Sequence, residues 1–96
     1  MTEHILKTWP AYFDAVKRGD KSFEVRRDDR GFQKGDVVVL QRTREDRKHV
    51  VEETMGRNAR EWVAVHELRR RIRYVLTGGQ FGIEPGYVVL QLEEIE

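Results

Sequence analysis

The stretch Gly19-Asp20-Lys21-Ser22-Phe23-Glu24-Val25-Arg26 joins a glycine-stopped helix to an alternating strand, and its reading decides the fold. Upstream, Trp9-Pro10 sets proline in a first helical turn, and Trp9, Phe13 and Val16 recur at helical spacing as one apolar face. Gly19 stands where a left-handed residue ends a helix, with Lys17 and Arg18 in the last turn. From Lys21 to Arg27 the pattern changes to period two. Phe23 and Val25 are expected on the core side, with Ser22, Glu24 and Arg26 on the other. Glu24 and Arg26 are then same-face neighbours with Lys21 at the strand mouth, a set suited to gripping a small polar group. From spacing alone the better reading is a cross-strand surface ion pair of Glu24 and Arg26 worth under ~1 kcal/mol.

The rest of the chain reads as short strands. His4-Ile5-Leu6-Lys7 is an opening strand or extended lead-in, and Asp28-Asp29-Arg30-Gly31 and Lys34-Gly35-Asp36 are turns. Val37-Val38-Val39-Leu40 reads as a strand buried on both faces. Residues 71–76 and 87–92 read as two further strands, separated by a glycine-rich connection at Thr77-Gly78-Gly79-Gln80-Phe81-Gly82. Residues 44–68 stay open: Val51, Met55, Ala59 and Trp62 fit helical spacing, Gly56-Arg57-Asn58 interrupts them, and His49-Val50-Val51 serves as well as a strand. Met55, Trp62, Val63 and Val65 there can form core or an interface. One early helix among short strands predicts a small α+β, barrel-like fold in a single domain, residues 1–96.

Composition limits the chemistry. Charged residues make up 36% of the 96 residues, against a usual ~25%, yet the net charge is only +1. Bulk polycationic binding of nucleic acid is therefore excluded, while a basic face built from residues 17–48 is not. The chain holds no cysteine, hence no disulfide, thiolate nucleophile or cysteine-based zinc site, and His4, His49 and His66 lack metal-ligand spacing. No cofactor is implied. No apolar run approaches the ~20 residues of a membrane span, and no secretory leader is visible, so a cytoplasmic protein is expected.

The pattern Gly19-x-Lys21-x-x-Glu24-x-Arg26 resembles the GxKxxExR signature of the ASCH superfamily, small PUA-like β-barrel domains. The flanking pieces His4-x-Leu6-Lys7, Trp9-Pro10-x-Tyr12-Phe13, Asp29-Arg30-x-Phe32, Gly35-Asp36 and Gly79-Gln80-Phe81-Gly82 resemble a small prokaryotic and phage-borne subfamily of unassigned function. The resemblance covers residues 4–40 and 70–92. It implies a PUA-like barrel with one early helix packed against it, and a cleft that binds RNA or a modified nucleotide. One ASCH branch hydrolyses N-acetylated cytidine with the signature lysine as catalyst, but that branch has threonine where this chain has Glu24.

Three functions follow. A nucleic-acid-binding module would use Lys21, Glu24 and Arg26, with Arg30, Lys7 and His4 as further contacts. In a strand His4 and Lys7 lie on opposite faces, so both reach one cleft only from a twisted lead-in. A small amidohydrolase would make Lys21 and Glu24 catalytic. A protein-interaction module would use the cleft for a peptide. Trp9 is expected chiefly in the core or as a helix staple, with base stacking as its second role. The backbone N–H groups of Thr77–Gly82 offer an anion cradle, which a tight strand connection explains as well. The Arg69-Arg70-Arg71/Arg73 cluster is read first as a solvated strand face.

Overall fold

The helix is the element most completely specified by local chemistry. In a computed structural model, which describes residues 1–50, 53–54, 62–63 and 66–95, α1 runs Pro10–Arg18 with Pro10 at its start and Gly19 at φ 87° as its stop. Gly19 N–H bonds to Val16 O at 3.1 Å and Asp20 N–H to Ala15 O at 3.0 Å, the paired bonds of a Schellman cap. Lys21 N–H returns to the same Ala15 carbonyl at 3.1 Å, so the cap also fixes where the following strand begins.

The strands are β1 (Glu3–Thr8), β2 (Phe23–Arg27), β3 (Val37–Arg42), β4 (Glu53–Thr54), β5 (Trp62–Val63), β6 (Glu67–Thr77) and β7 (Tyr87–Glu94). Five of them form one sheet in the order β1-β3-β6-β7-β2, curled as a half-barrel, and β4-β5 form a separate two-stranded ladder. β1 and β3 are parallel (His4 opposite Val38, Leu6 opposite Leu40), and the other pairings of the large sheet are antiparallel. Between Ile72 and Tyr74 the β6–β7 register shifts, an irregularity that increases twist where the sheet must bend.

The concave face carries the core. Leu6, Val38, Leu40, Ile72, Val88, Leu90 and Leu92 point inward from the strands and meet Phe13 and Val16 of α1 and Phe32. Val37 and Val39, on the opposite face of β3, are buried too, as the continuous apolar run predicts. Arg42 pins α1 to β3 by forking onto Asp14, Nε to Oδ1 at 3.0 Å and Nη2 to Oδ2 at 3.2 Å. That fork holds the Asp14 carboxyl below the usual range.

The open middle resolves only in part. Trp62 belongs to β5 and pairs with Thr54 of β4, so it is not on a helix, and Val50 bridges Thr43. Val51, Met55, Ala59 and Val65 lie outside the described residues. Trp9 departs from its core assignment: it caps α1 from outside and is 42% exposed. Among the described residues no helix is long and apolar enough to cross a membrane.

His4 is placed by a second polar centre. It is buried, with Nε2 2.9 Å from Asp36 Oδ2 and its ring 4.7 Å from that of Phe32. Asp36 also accepts the N–H of Thr2 at 3.2 Å and of Gln33 at 3.1 Å. Burial pushes the Asp36 carboxyl up, but the bonds from His4 and the two N–H groups outweigh it and leave its pKa below the ordinary value. A carboxylate depressed in the folded state stabilises above its unfolded pKa of ~3.9 and loses that contribution as pH falls through the folded value. Asp36→Asn is therefore expected to cost about 1–3 kcal/mol at pH 7. It should also flatten the acid limb of stability below about pH 5. Urea denaturation across pH 2–7 checks both; an acid limb identical to that of the parent protein would refute the assignment.

Candidate functional site

The site is assembled from the end of α1 outward. With Lys21 anchored through its backbone, its Nζ donates to Phe23 O at 2.7 Å and to Glu24 Oε1 at 2.8 Å. Arg26, two residues along the same face of β2, donates from Nε to Glu24 Oε2 at 3.0 Å and holds Nη2 2.9 Å from the same oxygen. Glu24 thus lies between two cations, its side chain 5% exposed against 15% for Lys21 and 24% for Arg26.

The triad faces the inside of the curl, which inverts the face expected from the alternation. Phe23 and Val25 are about half exposed, and Glu24 is buried. The inversion is sustainable because both carboxylate oxygens are ion-paired; an unpaired buried carboxylate would cost several kcal/mol. The surface-pair alternative for Glu24 and Arg26 is excluded by the same burial.

Arg26 also reaches across the gap between the two edge strands, from Nη2 to Lys7 O at 2.9 Å and to the buried Thr8 Oγ1 at 3.2 Å. Arg30 makes a parallel link, Nη1 to Ile5 O at 2.7 Å. Arg26 from β2 and Arg30 from the turn after it thus bind β1 where the sheet lacks a backbone ladder.

Above the triad opens a cleft of about 590 Å³ whose lining includes Lys7, Thr8, Trp9, Tyr12, Asp20, Phe23 and Val25 with the three charged residues. Trp9 and Tyr12 stack at 5.6 Å with 17° between their planes, and both are more than 40% exposed. Lys21 Nζ stands 5.3 Å from the Tyr12 ring centre and 4.8 Å from that of Phe23. The result is an aromatic rim over a charged floor. It offers flat apolar faces and, below them, a carboxylate and cationic N–H groups.

Of the residues singled out from sequence, Lys21, Glu24, Arg26 and Lys7 line this cleft. His4 does not, because Asp36 holds it in the separate buried pair. Arg30 does not either: it is exposed and committed to Ile5 O. The glycine-rich connection is not an anion cradle at its first two glycines, since Gly78 N–H bonds to Tyr87 O and Gly79 N–H to Ile83 O, each at 2.7 Å. In the arginine cluster, Arg69 pairs with Glu3 at 2.7 Å, and Arg70 and Arg71 stand opposite Glu94 and Glu93. Arg69 is exposed, whereas Arg70 and Arg71 are half-buried.

Sequence reasoning missed Arg47. Its guanidinium lies 4.0 Å over the Trp9 ring, and nothing in its local pattern announces a partner 38 residues away by chain number. Tyr12 and Phe23 were legible as aromatics but not as rim. Among the described residues no group of three or more His, Asp or Glu side chains stands close enough to hold a metal.

A family model described as a domain of unknown function (DUF3850) covers residues 3–92. No curated protein matches the chain.

Proposed function

Since the chain belongs to this family of unassigned activity, we propose from its own geometry that it is a nucleic-acid-binding module on an ASCH-type, PUA-like barrel. Its cleft would hold one unpaired base, of RNA or of a modified nucleotide. The observation that carries the reading is the exposed aromatic rim of Trp9, Tyr12 and Phe23 directly over the Lys21–Glu24–Arg26 floor. Large aromatics left half in water around a concave site favour a flat apolar occupant. The floor complements the polar edge of a base, with Glu24 as acceptor for an exocyclic amine and Lys21 and Arg26 as donors. A cleft of about 590 Å³ suits a splayed-out base and not a duplex.

The 2.8 Å contact between Lys21 and Glu24 supports a second reading, hydrolysis of an N-acylated cytidine. An ammonium engaged by Glu24 and by Phe23 O is not a nucleophile, so binding is the better-supported function. Acetate release from N-acetylated cytidine, abolished by Lys21→Ala, would reverse that order.

The test is titration of isotope-labelled protein with short single-stranded RNAs and a panel of modified nucleosides. Amide shifts are expected at residues 9, 12, 21, 23, 24 and 26, with log affinity falling against log salt by ~0.7 per phosphate engaged. Trp9→Ala removes one stacking face, at ~1–3 kcal/mol per base, and should weaken binding about tenfold or more. Trp9 lies outside the buried core, so the variant should still fold, at a loss of about 1–2 kcal/mol from the Tyr12 stack and the Arg47 contact. A flat salt dependence without shifts at the rim would end the proposal.

A further inference from the structure

The cleft separates its cations into two kinds. Lys21 and Arg26 share Glu24, and Arg26 spends Nε and Nη2 on Glu24, Lys7 O and Thr8 Oγ1. Asp20, the other acid of the lining, is taken by Arg18 at 2.9 Å. Two further cations, Lys7 of the cleft lining and Arg47 over the Trp9 ring, carry no such commitment. Among the described residues the Lys7 ammonium and the Arg47 guanidinium make no hydrogen bond or ion pair, and Arg47 lies over the Trp9 ring.

Arg47 extends from a hydrogen-bonded turn. Its backbone is left-handed, φ 61°, in a turn closed by Arg44 N–H to His49 O at 2.7 Å and Arg47 N–H to Arg44 O at 2.8 Å. Asp46 secures the turn by accepting the N–H of Lys48 at 2.9 Å and of His49 at 3.0 Å. A non-glycine residue in that conformation carries a strain cost, which the turn sustains at the residue whose guanidinium lies over Trp9, itself part of the cleft lining.

The geometry points to a divided site: the floor reads a base edge, and Arg47 with Lys7 at the rim binds the phosphate attached to that base. The occupant is then a nucleotide, not a free nucleoside. The anion is held beside Trp9, not at Lys21 and Arg26, which Glu24 already engages. This assignment rests on the base-binding reading and deepens it. A guanidinium stacked on an aromatic keeps its in-plane N–H fork free for phosphate oxygens.

The experiment compares the four ribonucleosides, their 5′-monophosphates and inorganic phosphate by calorimetry at low salt. The monophosphate of whichever nucleoside binds should bind about tenfold or more tightly than the nucleoside itself, as expected for a charge-assisted contact. Arg47→Ala should remove most of that ratio, Arg47→Lys part of it, and Lys7→Ala a smaller share. Phosphate alone should bind far more weakly than any of these nucleotides. Nucleoside binding with a phosphate preference unchanged in the Arg47→Ala, Lys7→Ala double variant overturns the divided site and leaves base binding intact. Absence of binding by both classes overturns base binding, and the divided site with it. Phosphate binding as tight as nucleotide binding would mean an anion site without a base reader and also overturns it.

Discussion

Glu24→Ala is expected to lower the stability of the fold by about 3 kcal/mol, measured as a fall in the urea midpoint at unchanged slope. The substitution removes the one carboxylate between Lys21 and Arg26 and leaves two largely buried cations facing each other. Arg26 would still hold Lys7 O and Thr8 Oγ1, so the link to β1 weakens without vanishing. Glu24→Gln keeps an acceptor oxygen and the side-chain volume but not the charge, and should cost roughly half as much. High salt should restore neither, because screening acts on exposed pairs and this one is enclosed. A loss below about 0.5 kcal/mol would identify an ordinary surface ion pair and remove the floor from the site.

Gly78→Ala should be at least as damaging, about 3 kcal/mol or more, through shape alone. A Cβ at Gly78 would stand 2.0 Å from Glu84 O and 2.6 Å from Tyr87 O. Both are backbone atoms of the returning chain, so no side chain can swing aside to make room. Gly78 also donates to Tyr87 O at 2.7 Å, and relieving the clash would break the bond that starts the β6–β7 hairpin. Gln80→Ala, in the same connection but exposed, should cost only a few tenths of a kcal/mol. The two midpoints measured side by side make the comparison. An equal, small loss in both would mean that the connection tolerates displacement.

Local signals carried the fold a long way. The proline start, the glycine stop and the continuous Val37–Leu40 run each became the element they predict, because each depends on neighbours within a few residues. The lysine, glutamate and arginine of the opening motif also converge in one cleft. Their facing was not legible. Alternation fixes that Glu24 and Arg26 share a side, but not which side, and the usual preference for apolar residues inward chose wrongly for Phe23 and Val25. Only the ion pairs, which no pattern displays, reverse it. His4 and Arg30 were misplaced for a related reason. Their partners, Asp36 and Ile5 O, lie 32 and 25 residues away, and a polar residue near a motif says nothing about such contacts. Arg47 falls in the stretch whose periodicity was ambiguous, so its place over Trp9 emerges only from the folded chain.

The guanidinium links from Arg26 and Arg30 to β1 also bear on how this molecule behaves at high concentration. A curled sheet with two edges exposes backbone groups that another chain's strand can join, and edge-to-edge pairing is a route to aggregates. Here the carbonyls of Ile5 and Lys7, the acceptors such a strand would seek on β1, are already occupied by Arg26 of β2 and by Arg30 of the turn that follows it. A guanidinium fills the acceptor without offering an acceptor of its own, so it ends the ladder. The same two arginines that span the opening make the edge of β1 a poor template for self-association.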